Sequence, residues 1–416
     1  MKRLYVFAKN MVRHPLFSGS AIMIFGSNLA NLIAYIYHLV IGRMLGPANY
    51  GVLAAVLSLM GLVLTAFSFL NIVVVKFVSA SDENKRVALF SWFSQRIFWM
   101  GVALSFLMFG LSGVLSEFLH IERTILVILS PVFFLMVFIV FHRAFLQGIF
   151  KFGQLVISIN LEMLGRLVLG VGALILGLSV RGAVLGIAIS AGVAYLLLKN
   201  MLKDYSRKKI KKSFEGEKEV FAYALPVVIS TVAIYSLFTT DVLLVKHFFS
   251  EHDAGIYASL STIGKIIFYA TAPVASVMFP LISQRTEKGL GYKKIFLLSF
   301  LFTAGISLGV IFLYWLVPNL MVGVLFGEKF AETASYLFSM GIFMGIFALC
   351  SLMVSFFLSR NKTAAIYLTP IAAVIQIVGI WFIHESLVDV IKVNIFASSA
   401  LLITLLLYFG YENRSA

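Results

Sequence analysis

The chain has 416 residues, of which 61% are hydrophobic and only 12% charged, with a formal net charge of +15. A mean hydropathy of +1.01 excludes a water-soluble domain and points to an all-α polytopic membrane protein, because apolar runs of about 20 residues cross a bilayer as helices. One cysteine, Cys350, excludes an intramolecular disulfide and a cysteine-held metal cluster.

Residues 1–15 mix Lys2, Arg3, Lys9, Arg13 and His14 with Leu4, Tyr5, Val6, Phe7, Met11 and Val12. That mixture predicts a basic amphipathic helix on the inner membrane surface. About twelve apolar runs follow, near 18–41, 52–75, 89–114, 124–141, 154–178, 181–202, 221–246, 255–282, 294–317, 333–358, 364–384 and 387–409. The first is too long for a cleavable signal and lacks a small-residue cleavage site, so it is expected to remain. Between the sixth and seventh runs lies the polar stretch 203–219, basic and then acidic, which reads as an inter-lobe linker. The expected plan is an N-terminal lobe of six spans (1–202), a cytoplasmic linker (203–219) and a C-terminal lobe of six spans (220–416).

The two halves repeat. The first apolar run ends in Arg43-Met44-Leu45-Gly46-Pro47-Ala48-Asn49-Tyr50-Gly51, and the seventh in His247-Phe248-Phe249-Ser250-Glu251-His252-Asp253-Ala254-Gly255-Ile256-Tyr257. A shift of about 204 residues superimposes Gly51 on Gly255, as one folding unit used twice requires. An even number of spans in each half makes the repeats parallel, related by an axis along the membrane normal.

Alternating Lys and Arg between sides gives a roughly four-to-one excess on the side of the N-terminus. Both termini are therefore expected in the cytoplasm, in a cytoplasmic (inner) membrane. Topology and anionic inner-leaflet lipid account for the surplus charge, which leaves no case for nucleic acid. Outer loops are too short for a glycan polymerase or glycosyltransferase site. Pro131, Pro226, Pro273, Pro280 and Pro370 fall in or near spans, as packing kinks or as hinges.

Ionisable groups deep in a membrane are costly and mark function. Glu162 and Arg166 stand one turn apart on the fifth span, able to pair, roughly 12 and 18 Å deep. Lys265 lies near the middle of the eighth span, Arg96 inside the third, and Asp241 toward the outer end of the seventh. Asn28 and Asn31 stand mid-depth on the first span. Lys265, Arg166 and Arg96, with Asn28 and Asn31, form the candidate substrate-binding set, since cations in low dielectric attract anions and an arginine fork grips phosphate. Glu162 and Asp241 are the candidate ion-coupling carboxylates. The bland readings are a closed structural pair for Glu162–Arg166 and a snorkelling Arg96. No P-loop, nucleotide fingerprint or metalloprotease motif occurs, and no cofactor is expected. The apolar run Leu169-Gly170-Val171-Gly172-Ala173 reads as close helix packing.

The segment from Arg43 to Gly51 resembles the opening of the polysaccharide-transporter family, flippases of undecaprenyl-diphosphate-linked oligosaccharides within the MOP superfamily. Arg143-Ala144-Phe145-Leu146-Gln147-Gly148-Ile149-Phe150-Lys151-Phe152 resembles that family's junction between spans four and five. Asp241 followed by Gly255-Ile256-Tyr257 resembles the opening of its second lobe. The resemblance implies two six-helix lobes around a cationic central cavity, as in MATE transporters. It implies a polyprenyl-diphosphate-linked oligosaccharide as substrate, membrane lipid around the prenyl tail, H+ or Na+ as coupling ion, and a polysaccharide polymerase and chain-length regulator as partners. Twelve spans rather than the usual fourteen of lipid II flippases favour an O-antigen, capsule or exopolysaccharide unit. Two alternatives stay open: a MATE-type drug/cation antiporter, whose cavity would be more acidic and aromatic, and a membrane glycan polymerase or glycosyltransferase.

Overall fold

The computed structural model describes residues 15–67, 69–79, 81–207, 217–288, 290–360 and 367–414. The expected surface helix at 1–15 and much of the 203–219 linker lie outside the described residues. Every regular element among those described is helical: α1 (Pro15–Thr65), α2 (Phe69–Ser79), α3 (Glu83–Leu119), α4 (Arg123–Gly148), α5 (Phe152–Ile175), α6 (Ser179–Met201), α7 (Lys203–Arg207), α8 (Glu217–Phe248), α9 (Glu251–Glu287), α10 (Lys293–Leu316), α11 (Pro318–Leu325), a 3-10 turn (Glu328–Thr333), α12 (Ala334–Ser359), α13 (Leu368–Phe382) and α14 (Leu387–Arg414). Nine helices among the described residues are long and apolar enough to cross a membrane. Their outward faces carry large apolar side chains, Phe25, Phe106, Val168, Leu308 and Phe396 among them. The protein is a multi-pass membrane protein.

The first two runs are two helical segments that follow one another directly across a kink at Gly46. Gly46 breaks the helical path with φ 72° and ψ 174°, a conformation that favours glycine. Pro47 follows at the start of the next helical segment, where its missing N–H costs nothing. The second expected span, 52–75, is in turn divided, with α1 ending at Thr65 and α2 starting at Phe69.

The chain divides into two compact units. One comprises residues 1–44 and 66–228, the other 45–65 and 229–416. The contact boundary between the units falls at residue 228, and the segment 45–65 groups with the second unit. Residues 45–65 pack with the second unit, and α7 at the head of the linker packs on the first, where the Tyr205 hydroxyl donates to Glu83.

In the first unit α4 is the hub, packed against α2, α3, α5 and α6. It is apolar on all faces, as a helix surrounded by others must be. In the second unit α12 has the same role, packed against α9, α10 and α14. Both hubs are 26 residues long and form the fourth apolar run of their half, so the internal repeat extends to packing. Gly170 does serve close packing: a Cβ on Gly186 of α6 would stand 2.9 Å from its backbone nitrogen.

Candidate functional site

Glu162 is the centre of the polar cluster in the first unit. Ser158, Glu162 and Arg166 follow at intervals of four on α5 and so share a face. The turn at 149–151, with Phe150 at φ 61°, folds α5 back along α4 and brings Arg143 opposite that face. Arg143 Nη2 donates to Glu162 Oε2 at 2.8 Å and to the Ser158 carbonyl at 2.9 Å, while its Nε donates to Ser158 Oγ at 3.1 Å. Arg166 Nη2 donates to the other carboxylate oxygen, Oε1. Glu162 is buried, and both guanidiniums are mostly covered. Two cations on one carboxylate leave this cluster a net charge of +1. Arg166 Nε and the Tyr37 hydroxyl are buried without a hydrogen-bond partner.

The expected Glu162–Arg166 pair is therefore present but is one side of a triad. Arg143 is not among the expected site residues, and the structure adds it. The available signal was the hairpin spacing, because a turn near 150 places 143 against 158.

Asp241 of α8 anchors the second unit. Its Oδ1 accepts from the Val242 amide at 2.9 Å, and its Oδ2 accepts from the Tyr257 hydroxyl at 2.7 Å and from Asn394 Nδ2 at 3.3 Å. Asn394 also donates to Tyr257 at 2.9 Å and accepts from Gln376 Nε2 at 2.9 Å. Residues 241, 257, 376 and 394 are all fully buried, and Gln376 Oε1 and Ser398 Oγ nearby in the chain's α13 and α14 have no hydrogen-bond partner. Asp241 thus stands fully buried inside the unit.

Lys265 of α9 is half-buried. Its ammonium lies 4.5 Å from the centroid of the Phe238 ring and forms no salt bridge among the described residues. Lys246, which is not among the expected site residues, is buried and its ammonium has no hydrogen-bond partner. Among the remaining expected residues, Arg96 packs its guanidinium 3.9 Å over the Trp92 ring on its own helix. Asn28 and Asn31 are exposed on α1. The structure brings Arg166 together with Glu162 in the first unit and sets Lys265 beside Asp241 in the second.

No group of three or more metal-ligating His, Cys, Asp or Glu side chains occurs among the described residues. The arrangement offers fixed positive charge, guanidinium forks and buried carboxylates, groups able to bind an anion.

Residues 16–286 match the family model described as polysaccharide biosynthesis protein. No curated protein sequence matches the chain. Among solved structures, the fold is similar to an inward-facing multidrug resistance MATE family transporter of the MOP superfamily, at 15% identity, TM-score 0.75, and coverage of 93% of this chain and 96% of that one. It is similar to the lipid II flippase MurJ in an inward closed conformation, at 11% identity, TM-score 0.75, and coverage of 94% and 87%. A third similar structure is a MOP superfamily transporter from Pyrococcus furiosus described as having a binding pocket of reverse polarity, at 15% identity, TM-score 0.62, and coverage of 96% and 95%.

Proposed function

The chain belongs to the polysaccharide biosynthesis protein family of the MOP superfamily, and from that premise we propose that it is a flippase of polyprenyl-diphosphate-linked oligosaccharides in the cytoplasmic membrane. The observation that carries this reading is the Arg143–Glu162–Arg166 cluster, where two forks share one carboxylate and keep a net positive charge. A diphosphate supplies the anion that such a cluster lacks, and it can take the fork geometry bidentately. Lys265 adds a second cation inside the helices. Alternating exposure of these groups to the two membrane faces moves the head group, while the prenyl tail stays in lipid. A polymerase and a chain-length regulator would use the unit once it is outside.

A drug or organic-cation antiporter is disfavoured by one contact. The aromatic face of Phe238 that would attract a cationic drug already holds the Lys265 ammonium. The test is a proteoliposome assay with a panel of polyprenyl-diphosphate sugars beside a panel of organic cations. Flipping of at least one glycolipid, weakened by Arg166→Ala, is the expected result. Efflux of cations with no glycolipid movement would reject the proposal.

Glu162 and Asp241 are the groups we propose for coupling to H+ or Na+. A diphosphate that engages Arg166 loosens its hold on Glu162 and so eases protonation of that carboxylate, a linkage that works in both directions. Glu162→Gln and Asp241→Asn are measured for transport against pH and against sodium. The group that couples is the one whose neutral variant flattens the ion dependence, and two wild-type profiles would exclude both.

A further inference from the structure

Lys265 does not stand alone on its face of α9. Tyr269 follows it by four residues, on the same side of the helix, and is 51% exposed. Across from it on α8 stand Tyr235 and Phe238, the ring of Phe238 lying 6.1 Å from Tyr235 and 6.4 Å from Tyr269. Phe268 backs the group at 4.9 Å from Phe238. The Tyr235 hydroxyl lies against the backbone of Gly61, where a Cβ would stand 2.2 Å from it. Neither tyrosine hydroxyl makes a hydrogen bond among the described residues, and the Lys265 ammonium, 4.5 Å from the Phe238 centroid, makes no salt bridge there. Three polar side chains thus border one aromatic cluster.

An unpaired ammonium against hydrocarbon is costly, so this face of α9 adjoins water or a polar ligand rather than lipid tails. A pyranose fits such a surface. One face of the sugar presents C–H bonds that rest on the negative face of an aromatic ring, and its hydroxyls need partners once they leave water. An organic cation does not fit, because Lys265 fills the aromatic face. We propose that Tyr235 and Tyr269 form the contact surface for the sugar ring attached to the phosphates, with Lys265 as the contact to the phosphate beside it. This inference rests on the flippase reading and adds a sugar-recognition surface to it.

The experiment measures binding to the full-length protein in nanodiscs. Three probes are used: undecaprenyl diphosphate, and the same lipid carrying one N-acetylglucosamine or one galactose. Wild type is expected to bind at least one of the glycosylated lipids about tenfold more tightly than the bare diphosphate, a difference of about 1.4 kcal/mol. Tyr269→Ala and Tyr235→Ala should erase that difference and leave affinity for the bare lipid unchanged. Tyr269→Phe, which keeps the ring, should retain part of it. Lys265→Ala should weaken all three probes alike. Equal affinity of wild type for bare and glycosylated lipid, or tyrosine variants that shift all probes equally, would overturn the sugar surface while leaving the diphosphate reading intact. Failure of wild type to bind any of the three would overturn the flippase reading itself, and the sugar surface with it.

Discussion

Glu162 is held by two guanidiniums, and that count decides what its neutralisation does. Removing one partner from a buried ion pair leaves uncompensated charge and costs about 3–5 kcal/mol. Glu162→Gln leaves both Arg143 and Arg166 without a counter-charge. It should therefore lower the thermal midpoint of the detergent-solubilised protein more than Arg143→Gln does, since the latter leaves a neutral Glu162–Arg166 pair. Combining Arg143→Gln with Glu162→Gln should cost less than the sum of the single changes, because the groups share one network. Strict additivity would show that Arg143 does not bear on Glu162. At this scale the sequence was legible where partners are a helical turn apart, as for Glu162 and Arg166. It was silent on Arg143, whose partner depends on the hairpin turn, and on Asn394, which meets Asp241 from 153 positions away.

The helices themselves were legible, since runs of about 20 apolar residues carry their own signal. What hydropathy does not encode is which helix packs on which. Residues 45–65 join the second unit through backbone contact: a Cβ on Gly255 would stand 1.8 Å from the Pro47 carbonyl oxygen, and one on Gly51 would stand 2.8 Å from the Gly255 nitrogen. The two glycines that mark the internal repeat thus lie against one another, a relation that no periodicity predicts. The contact gives a test. Gly255→Ala forces α1 and α9 apart at backbone atoms that cannot turn aside, so the cost should reach or exceed the roughly 1–3 kcal/mol of ordinary overpacking. Gly110→Ala on α3 is the control, with nothing within 4 Å of the added carbon; replacing a mid-helix glycine there should be neutral or stabilise by up to about 1 kcal/mol. Thermal midpoints of the two variants in one detergent decide the matter, and a Gly255→Ala protein as stable as Gly110→Ala would refute the close packing.

For the molecule as a whole, the contacts between distant segments agree with the charge count in grouping segments by membrane face. Counting Lys and Arg assigns the starts of α3 and α7 to one face, and Tyr205 bonds Glu83 there. It assigns the end of α12 and the end of α14 to that same face, where Arg360 pairs with Glu412 at 2.7 Å. The loops before α4 and at the start of α6 go to the opposite face, and Arg181 pairs with Glu122 at 2.6 Å. The start of α9 and the 3-10 turn go there too, with His252 beside Glu332 at 3.2 Å. Within each unit the contacts fix which segments share a face, but neither the match between units nor which face is cytoplasmic. The Lys and Arg excess supplies that direction, because basic loops resist translocation. We therefore predict that the face bearing α7 is cytoplasmic. Ser206 on α7 and Asn319 on α11 are both exposed, so single cysteines at these positions are open to a membrane-impermeant maleimide. Since Cys350 is the sole native cysteine and is buried, a Cys350→Ser background removes the remaining thiol. Ser206→Cys should label only after the cells are opened, and Asn319→Cys in intact cells. Labelling of both positions in intact cells would break the assignment of faces, and a clean reversal would keep the segment grouping but invert the direction drawn from charge.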